Sequence, residues 1–347
     1  MNQNLFSQKK QEFKRLYPNT IFLDPSEPTA IDHYLKQQSI IDIHDHVTHI
    51  EKAGEGNMNL TLRVTTKNHS IIVKQSRPWV EKYPAIPAPV HRTSIEGLFY
   101  KTISSISGLS ANIPKFLGLD EKSNIIFIED LGQIKSFENM YAGTSVQEEH
   151  IRVLLHWINV LHQQEFSPAT RHLLKNLKMR QLNHEHIFVL PLNKNNGLDL
   201  NSFTSGLSKV GNELKANPIY CKKVEELGNL YLSDGKCLLH GDYYPSSWMQ
   251  RDDKVYVIDP EFCFFGPPEF DMGIVLAHLL LSDQPLHTQE KIFDYYQNAA
   301  MLDKRLVYNF AGVEIMRRLI GVAQLPLPNR LDKKEEMLMT SLEWVML

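Results

Sequence analysis

Alternating apolar and polar residues predict extended strands in the first part of the chain. Such runs occupy residues 47–51 and 60–64 and flank a turn rich in glycine and asparagine, which is typical of a hairpin. Further strands are predicted at 70–74 and 124–128, and a helix is predicted to begin near Thr93, where apolar residues recur at helical spacing. We therefore expect a mostly antiparallel sheet with one main helix in the first ~130 residues.

The remainder of the chain has mainly helical periodicity. Apolar residues recur at i, i+3 and i+4 across 151–161, and a second helix is predicted over 220–232. Two short apolar runs, 237–239 and 255–258, are expected to be strands joined by a loop. Further helices are predicted to begin at Asp271, Thr288 and Arg305. The pattern indicates an α+β chain whose natural hinge is the segment 129–132.

Composition limits the function classes. The chain has 347 residues, a formal charge of -3 and 42% hydrophobic residues, which is an ordinary globular mixture and not that of a net-basic nucleic-acid binder. Its three cysteines form no paired motif, and no stretch resembles an export or membrane signal, so we expect a cytoplasmic protein without a membrane or nucleic-acid partner. The fifteen histidines raise the question of a metal site. His44 and His46 would share one face of a regular strand and His49 would lie on the other, which argues against a zinc site there.

The glycine turn allows two interpretations. A GxG motif in a dinucleotide-binding fold follows a strand and precedes a helix, whereas here a strand follows the turn. A glycine turn between antiparallel strands can instead cover nucleotide phosphates. An ordinary hairpin turn is the alternative, because hairpins favour glycine and asparagine in any case.

Lys74 lies at the end of the third predicted strand. A cation there can pair with phosphate oxygens, although a lysine at the end of a strand is more often an exposed edge residue. Glu96 on the next helix could hold Lys74 as an ion-pair partner. Alternatively, the string from Thr93 to Glu96 fits a capping box, which would occupy Glu96 locally. The sequence leaves these two readings open.

Acidic residues follow both short apolar runs of the second part. Asp242 comes just after the run 237–239 and next to a glycine, where it could accept a proton from a substrate hydroxyl. Asp259 and Glu261 follow the second run, and two carboxylates at i and i+2 on a turn can bind a hard cation such as Mg²⁺. Singly, each acid is more often a turn or cap residue, but the combination is specific.

Taken in order, these motifs resemble the aminoglycoside and choline kinase-like phosphotransferases, and among them the S-methyl-5-thioribose kinases. The strings that carry the resemblance are Gly54-Glu-Gly-Asn-Met-Asn59, Val73-Lys-Gln75, Ile128-Glu-Asp-Leu131, His240-Gly-Asp242, Ile258-Asp-Pro-Glu-Phe262 and Ala311-Gly-Val-Glu-Ile-Met-Arg-Arg318. The twin arginine is characteristic of the thioribose kinases. The resemblance extends from about residue 40 to 325.

The resemblance implies a bilobal, protein-kinase-like fold, with a nucleotide-binding lobe at 1–130 and a catalytic, substrate-binding lobe at 131–347. It implies ATP and Mg²⁺ as cofactors, a hydroxylated small molecule as acceptor, and leaves a homodimer open. The implied nucleotide-binding residues are Gly54, Gly56, Asn57, Asn59, Lys74, Glu96, Glu129 and Leu131. The implied metal ligands are Asp259, Glu261 and Ser247. The implied substrate contacts are Arg317, Arg318 and Asp242, which is also the catalytic acid/base. Tyr243 departs from the family pattern in being bulkier, and its place next to Asp242 predicts a further substrate contact.

Methylthioribose or a related pentose is the acceptor that the resemblance implies. Ser247 replaces the asparagine of most of the superfamily, as it does in thioribose kinases, but the stretch 81–89 lacks their substrate-contacting tryptophan. The alternatives are a kinase for another hydroxylated metabolite, such as an amino alcohol, and a nucleotide-binding module without turnover.

Because adjacent residues of a helix do not share a face, we expect Arg317 to approach the site and Arg318 to make a structural ion pair, or the reverse.

Overall fold

The computed structural model describes residues 3–54, 58–297 and 299–347. The chain divides into two compact units, the N-terminal unit Met1–Gln133 and the C-terminal unit Ile134–Leu347. The sequence predicts this division after residue 130, three residues before the one observed.

The N-terminal unit combines an antiparallel sheet with helices. Its elements are α1 (Gln3–Leu16), α2 (Pro28–Gln37), β1 (Val47–Lys52), β2 (Leu60–Thr66), β3 (Ser70–Gln75), α3 (Arg92–Ile103), β4 (Phe116–Asp120) and β5 (Ile125–Glu129). The strands lie in the order β1-β2-β3-β5-β4, and all neighbours are antiparallel. Alternate residues of β2 are buried, as its polar and apolar alternation requires. The predicted strands are confirmed, and the pattern missed only the short β4 in this sheet.

Two apolar clusters support this sheet. One joins α2 to the strands and includes Ile31, Leu35, Leu62 and Val73. The other contains Phe13, Phe22 and Trp79, so the segment that follows β3 packs against α1. The N-terminal helices therefore stabilise the segment that carries Lys74 and the loop beyond it.

The C-terminal unit is mainly helical. Its elements are β6 (Lys135–Ser136), α4 (Glu148–His162), α5 (Pro168–Leu173), α6 (Leu177–His184), α7 (Leu207–Lys215), α8 (Pro218–Leu232), β7 (Cys237–Leu239), β8 (Trp248–Arg251), β9 (Lys254–Val257), β10 (Phe264–Gly266), α9 (Pro268–Leu281), α10 (Leu286–Glu290), α11 (Ile292–Tyr295), α12 (Lys304–Ile320) and α13 (Leu331–Val345). The apolar α9 and the motif-bearing α12 are buried along most of their length, which fits their place in the core of this unit.

The two short apolar runs of this unit belong to different sheets. β7 pairs with β10, whereas β9 pairs with β8, which also pairs with β6. The interpretation of 237–239 and 255–258 as strands joined only by a loop is therefore incomplete, because β8 lies between them. A tight turn with Asp252 at φ +53° connects β8 to β9. The pattern does not predict β8 because its sequence, Trp248–Arg251, ends in two polar residues and forms no apolar run.

The α+β fold class is confirmed, with an antiparallel sheet and helix in one unit and a mainly helical second unit. Among the helices of the described residues, none has the length and apolar character needed to cross a membrane.

Candidate active-site residues

Lys74 and Glu96 form a buried ion pair in the N-terminal unit. The Lys74 Nζ lies 2.7 Å from the Glu96 Oε1, and both side chains are buried. Lys74 on β3 is paired in register with Ile126 on β5. Gly97 lets α3 approach this strand, because a Cβ there would lie 2.8 Å from the Ile126 Cγ2. The close approach of α3 at Gly97 therefore brings Glu96 to Lys74.

The capping-box alternative for Glu96 is wrong. The helix begins at Arg92, and its N-cap residue, His91, makes no side-chain cap. The Thr93 hydroxyl donates instead to the backbone carbonyl of Asn124 at 2.7 Å. Of the two readings that the sequence left open, the structure has the ion pair.

The glycine hairpin is described only at its ends. Gly54 has φ +69°, and no atom of the described residues lies within 4 Å of where its Cβ would project, while Asn59 is buried just before β2. Gly56 and Asn57, which the resemblance also assigns to nucleotide binding, lie outside the described residues.

The segment after β5 is fixed by a carboxylate that sequence reasoning did not select. Asp130 accepts hydrogen bonds from Arg63 at 2.8 and 3.1 Å. Burial acts to raise the pKa of Asp130, but the Arg63 guanidinium holds it below its usual value. The flanking Glu129 accepts from the Lys115 amide through its side chain, and Leu131 is buried. The Asp130–Arg63 pair thus orients the backbone that the resemblance assigns to adenine.

In the C-terminal unit, the turn after β7 has a conformation that only glycine fits. Gly241 has φ +83°, and a Cβ there would lie 2.2 Å from the carbonyl oxygen of Phe262. The backbone amides of His240 and Gly241 donate to the two carboxylate oxygens of Asp271 at 2.8 and 3.0 Å. A buried carboxylate from α9 therefore fixes the loop that presents Asp242.

His240 orients this loop through hydrogen bonds. Its Nε2 lies 3.0 Å from the carbonyl oxygen of Ile258, and the Asp242 amide donates to its Nδ1 at 3.4 Å. Burial lowers the pKa of His240, with the nearby carboxylate of Asp271 opposing the shift. A neutral imidazole is consistent with this bridging position between the two motif loops.

Asp242 faces both arginines of α12. Its Oδ1 lies 3.5 Å from the Arg317 Nη2 and 3.9 Å from the Arg318 Nη2. The expectation that one arginine faces the site and the other does not is wrong, because the two long side chains converge although their backbone positions diverge. Burial raises the pKa of Asp242, and the two guanidiniums oppose that rise. The carboxylate keeps 22% exposure, so it remains open to a ligand.

Glu314 holds both arginines from behind. It accepts from the Arg317 Nε and Nη2, the latter at 3.1 Å, and from the Arg318 Nε at 2.7 Å. The His278 Nε2 lies 2.9 Å from the same carboxylate, and the His278 Nδ1 lies 2.5 Å from the Tyr141 hydroxyl. Burial lowers the pKa of His278 to about 4. Two carboxylates therefore balance two guanidiniums around a neutral histidine.

The two tyrosines after Asp242 have different surroundings. Tyr243 is fully buried, donates its hydroxyl to the Leu154 carbonyl at 2.9 Å and stacks on Trp157. This packing corrects the expectation that Tyr243 contacts the substrate, because its hydroxyl and ring are both engaged in the core. The neighbouring Tyr244 lies beneath the Arg318 guanidinium, 4.3 Å from the ring centroid.

Asp259 and Glu261 lie on the turn after β9. Asp259 adopts a left-handed backbone conformation with φ +62°, and Glu261 is buried. The Asn176 side-chain amide donates to the carbonyl oxygens of Glu261 and Cys263, at 2.9 Å each. These bonds fix the backbone that carries both predicted metal ligands.

Ser247 links the two motif loops. Its hydroxyl donates to the Asp242 carbonyl oxygen at 2.9 Å, and its own carbonyl accepts from the Ile258 amide at 2.9 Å. The candidate metal-ligand atoms near this turn are hard oxygens, which suit Mg²⁺ and not a soft transition metal. Within the described part of the chain, no three His, Cys, Asp or Glu side chains form a ready metal-binding group.

Comparison with known proteins finds similarity to phosphotransferases by sequence. Residues 222–306 match the model of the phosphotransferase enzyme family (APH). The methylthioribose kinase of Geobacillus sp. (strain WCH70) is 26% identical over 329 residues, covering 82% of this chain and 81% of the relative. That of Bacillus cereus (strain G9842) is 23% identical over 351 residues, covering 89% and 88%.

Solved structures share the fold at low identity. The AMP-bound complex of spectinomycin phosphotransferase APH(9)-Ia has a TM-score of 0.54 at 13% identity, covering 92% of this chain and 98% of that chain. A choline/ethanolamine kinase family protein from Mesorhizobium loti has a TM-score of 0.52 at 13% identity, covering 91% and 95%. The resemblance inferred from the motifs and the kinase-like fold class are confirmed.

Proposed function

We propose, with the resemblance to phosphotransferases as the premise, that this chain is an ATP-dependent kinase for a sugar hydroxyl. Methylthioribose or a related pentose is the proposed acceptor. The observation that carries the proposal is the Asp242 carboxylate, held on a loop fixed by Asp271 and facing Arg317 and Arg318.

Asp242 is proposed to act on the acceptor hydroxyl. The hydroxyl oxygen forms a bond to the γ-phosphorus of ATP, the bond from that phosphorus to the bridging oxygen breaks, and ADP leaves. The hydroxyl proton passes to Asp242, whose pKa burial raises toward the range useful for a base. Arg317 and Arg318 supply positive charge beside it, where the charge of the transferred group develops.

The N-terminal unit is proposed to bind ATP. Lys74, held by Glu96, would contact phosphate oxygens. The hairpin residues Gly54, Gly56, Asn57 and Asn59 would cover the phosphates, and the backbone at Glu129 and Leu131 would hold adenine. The buried Lys74–Glu96 pair supports this role, because the carboxylate holds the ammonium group in one position at the end of β3.

Asp259, Glu261 and Ser247 are the proposed ligands of Mg²⁺. Their oxygens are the donors that this cation prefers, and the turn that carries the two acids is fixed by Asn176. When bound, Mg²⁺ would neutralise phosphate charge. We expect Asp259→Asn to raise the Mg²⁺ concentration that gives half-maximal activity by about a hundredfold, because a neutral amide is a weaker ligand than a carboxylate. Titration of Mg²⁺ against initial rate measures this, and an unchanged midpoint would refute the assignment.

The acceptor class is tested by following ADP release with ATP, Mg²⁺ and a panel of thiosugars, pentoses and amino alcohols. Turnover with a thiosugar or pentose is expected, since a cationic amino alcohol would face the guanidiniums of Arg317 and Arg318. Turnover with amino alcohols alone would contradict the proposed acceptor. The absence of ADP release with every acceptor would contradict the proposed reaction.

A further inference from the structure

One buried arginine makes several backbone contacts in the N-terminal unit. Arg92, the first residue of α3, is 1% exposed. Its Nη1 donates to the carbonyl oxygens of Arg77 and Pro89, at 2.8 Å each. Its Nη2 donates to those of Met58 at 2.5 Å and Trp79 at 3.1 Å. A single guanidinium therefore binds four carbonyl groups from three stretches of backbone.

These stretches adjoin the residues proposed to bind ATP. Met58 belongs to the glycine hairpin, and its carbonyl also accepts from the Glu81 amide at 3.2 Å. The Arg77 carbonyl lies three residues beyond Lys74 along the chain. Glu96, the partner of Lys74, follows Arg92 by about one turn of the same helix. The guanidinium thus connects the hairpin exit, the continuation of β3 and the start of α3.

Only arginine can make this set of contacts. Its planar guanidinium presents five donors in a fixed fork, whereas a lysine ammonium has three donors on a flexible stem. Two nitrogens of Arg92 each serve two carbonyl groups, so the relative positions of these backbone stretches are defined by one rigid group. Losing it would remove one donor from each of the four carbonyl groups and would let the hairpin exit move relative to β3 and α3.

We propose that Arg92 is a positioning residue for nucleotide binding. It acts through the Met58 end of the glycine hairpin and through the segments that carry Lys74 and Glu96. The inference rests on the proposed ATP-binding role of this unit and adds a residue that the motifs do not include. A purely structural role would lower stability without a selective effect on the nucleotide.

The test compares Arg92→Lys with a matched control, Arg180→Lys. Arg180 is equally buried, at 1% exposure, and donates to backbone carbonyls of Tyr231 and Ser233 in the C-terminal unit. Both variants lose a buried arginine clamp, so both should lose stability. Only Arg92→Lys is expected to weaken ATP binding, by at least about tenfold, which corresponds to losing the positioning effect of about one hydrogen bond.

Binding is measured directly by titrating the folded variants with ATP, and the KM for ATP is compared with kcat. Hydrogen exchange over 58–60 and 76–90 should accelerate in Arg92→Lys and not in Arg180→Lys. Should Arg92→Lys fail to fold, Arg92→Gln is measured in its place, since it keeps amide donors without a buried charge. Equal ATP affinity in the wild type and the Arg92 variant would overturn the inference. If the wild type itself binds no ATP, the proposed function fails first.

Discussion

Replacing Asp242 with asparagine is expected to lower kcat by about 10²–10⁴-fold, the usual contribution of a positioned general base. Asparagine keeps the size of the side chain but cannot accept the hydroxyl proton. Arg317 and Arg318 retain Glu314 as their buried partner, so the arginines should stay in place. The loss should therefore fall on kcat, with little change in the KM for ATP.

The stability of the Asp242→Asn protein should be kept or increased, although its kcat falls. Burial raises the pKa of Asp242, so the folded chain holds the charged carboxylate at a cost relative to the unfolded chain. Above the folded pKa this charge opposes folding, and a neutral isostere removes the cost. We expect the Asp242→Asn protein to have a Tm at pH 7 equal to or above that of the wild type. The control Asp234→Asn neutralises an exposed carboxylate that pairs with Arg180 and should leave kcat unchanged.

The pH dependence of kcat/KM distinguishes Asp242 from His278 as the group that titrates. Only the deprotonated carboxylate can accept a proton, so kcat/KM should fall as the pH drops through the raised pKa of Asp242. The acid limb should therefore lie above the range of an ordinary aspartate. If the same limb persists in the residual activity of Asp242→Asn, it belongs to another group, whereas a limb near pH 4 would match the lowered pKa of His278, which is about 4. Undiminished kcat in that variant would make the proposed base wrong.

The sequence predicts the strands around Lys74 because alternation reports directly which residues face the core. It could not decide the partner of Glu96, because the capping box and the ion pair would both use the Glu96 side chain. The choice depends on how closely α3 approaches β5 at Gly97, which is a long-range packing contact. Local spacing contains no information on that distance.

Glu314 and His278 were missed, although signals for both are present. Glu314 stands three and four residues before Arg317 and Arg318, which is the spacing of ion pairs on a helix. His278 interrupts the apolar run of α9, and a polar residue in a buried helix requires a partner. What the sequence could not supply is that the two helices bring these side chains together.

Tyr243 is a residue that the sequence assigned to the site and the structure places in the core. Its position next to Asp242 suggested a substrate contact, but neighbours in sequence point in different directions. Tyr243 packs on Trp157 of α4, whereas Tyr244 faces Arg318. Which of the two lies near the site depends on the backbone of the loop, and that is set by the glycine turn and Asp271.

Glu314→Gln is expected to lower the free energy of unfolding by about 3–5 kcal/mol, because it leaves two buried guanidiniums short of a charged partner. Glu314 is 2% exposed and accepts from both Arg317 and Arg318 and from His278. Denaturant unfolding at pH 7 measures the change. The arginines should also lose their orientation toward Asp242, so kcat should fall in the fraction that remains folded.

The matched control is Glu148→Gln, the same substitution at a carboxylate on the surface. Glu148 is 44% exposed and pairs with Arg152 and Lys291, and exposed pairs contribute at most about 1 kcal/mol. If the two substitutions cost the same, the Glu314 network contributes no more than a surface pair and the prediction is wrong.

The pH dependence of this difference has a definite sign. Burial acts to raise the pKa of Glu314, but the guanidiniums of Arg317 and Arg318 and the His278 hydrogen bond hold it well below its usual value. A carboxylate whose pKa is depressed in the folded state stabilises the fold above its unfolded pKa and loses this effect as the pH falls toward the folded value. The gap in unfolding free energy between the wild type and Glu314→Gln should therefore be complete at neutral pH and shrink in acid. A gap that is constant down to strongly acidic pH would indicate lost packing, and the charge balance around the twin arginine would then not be its cause.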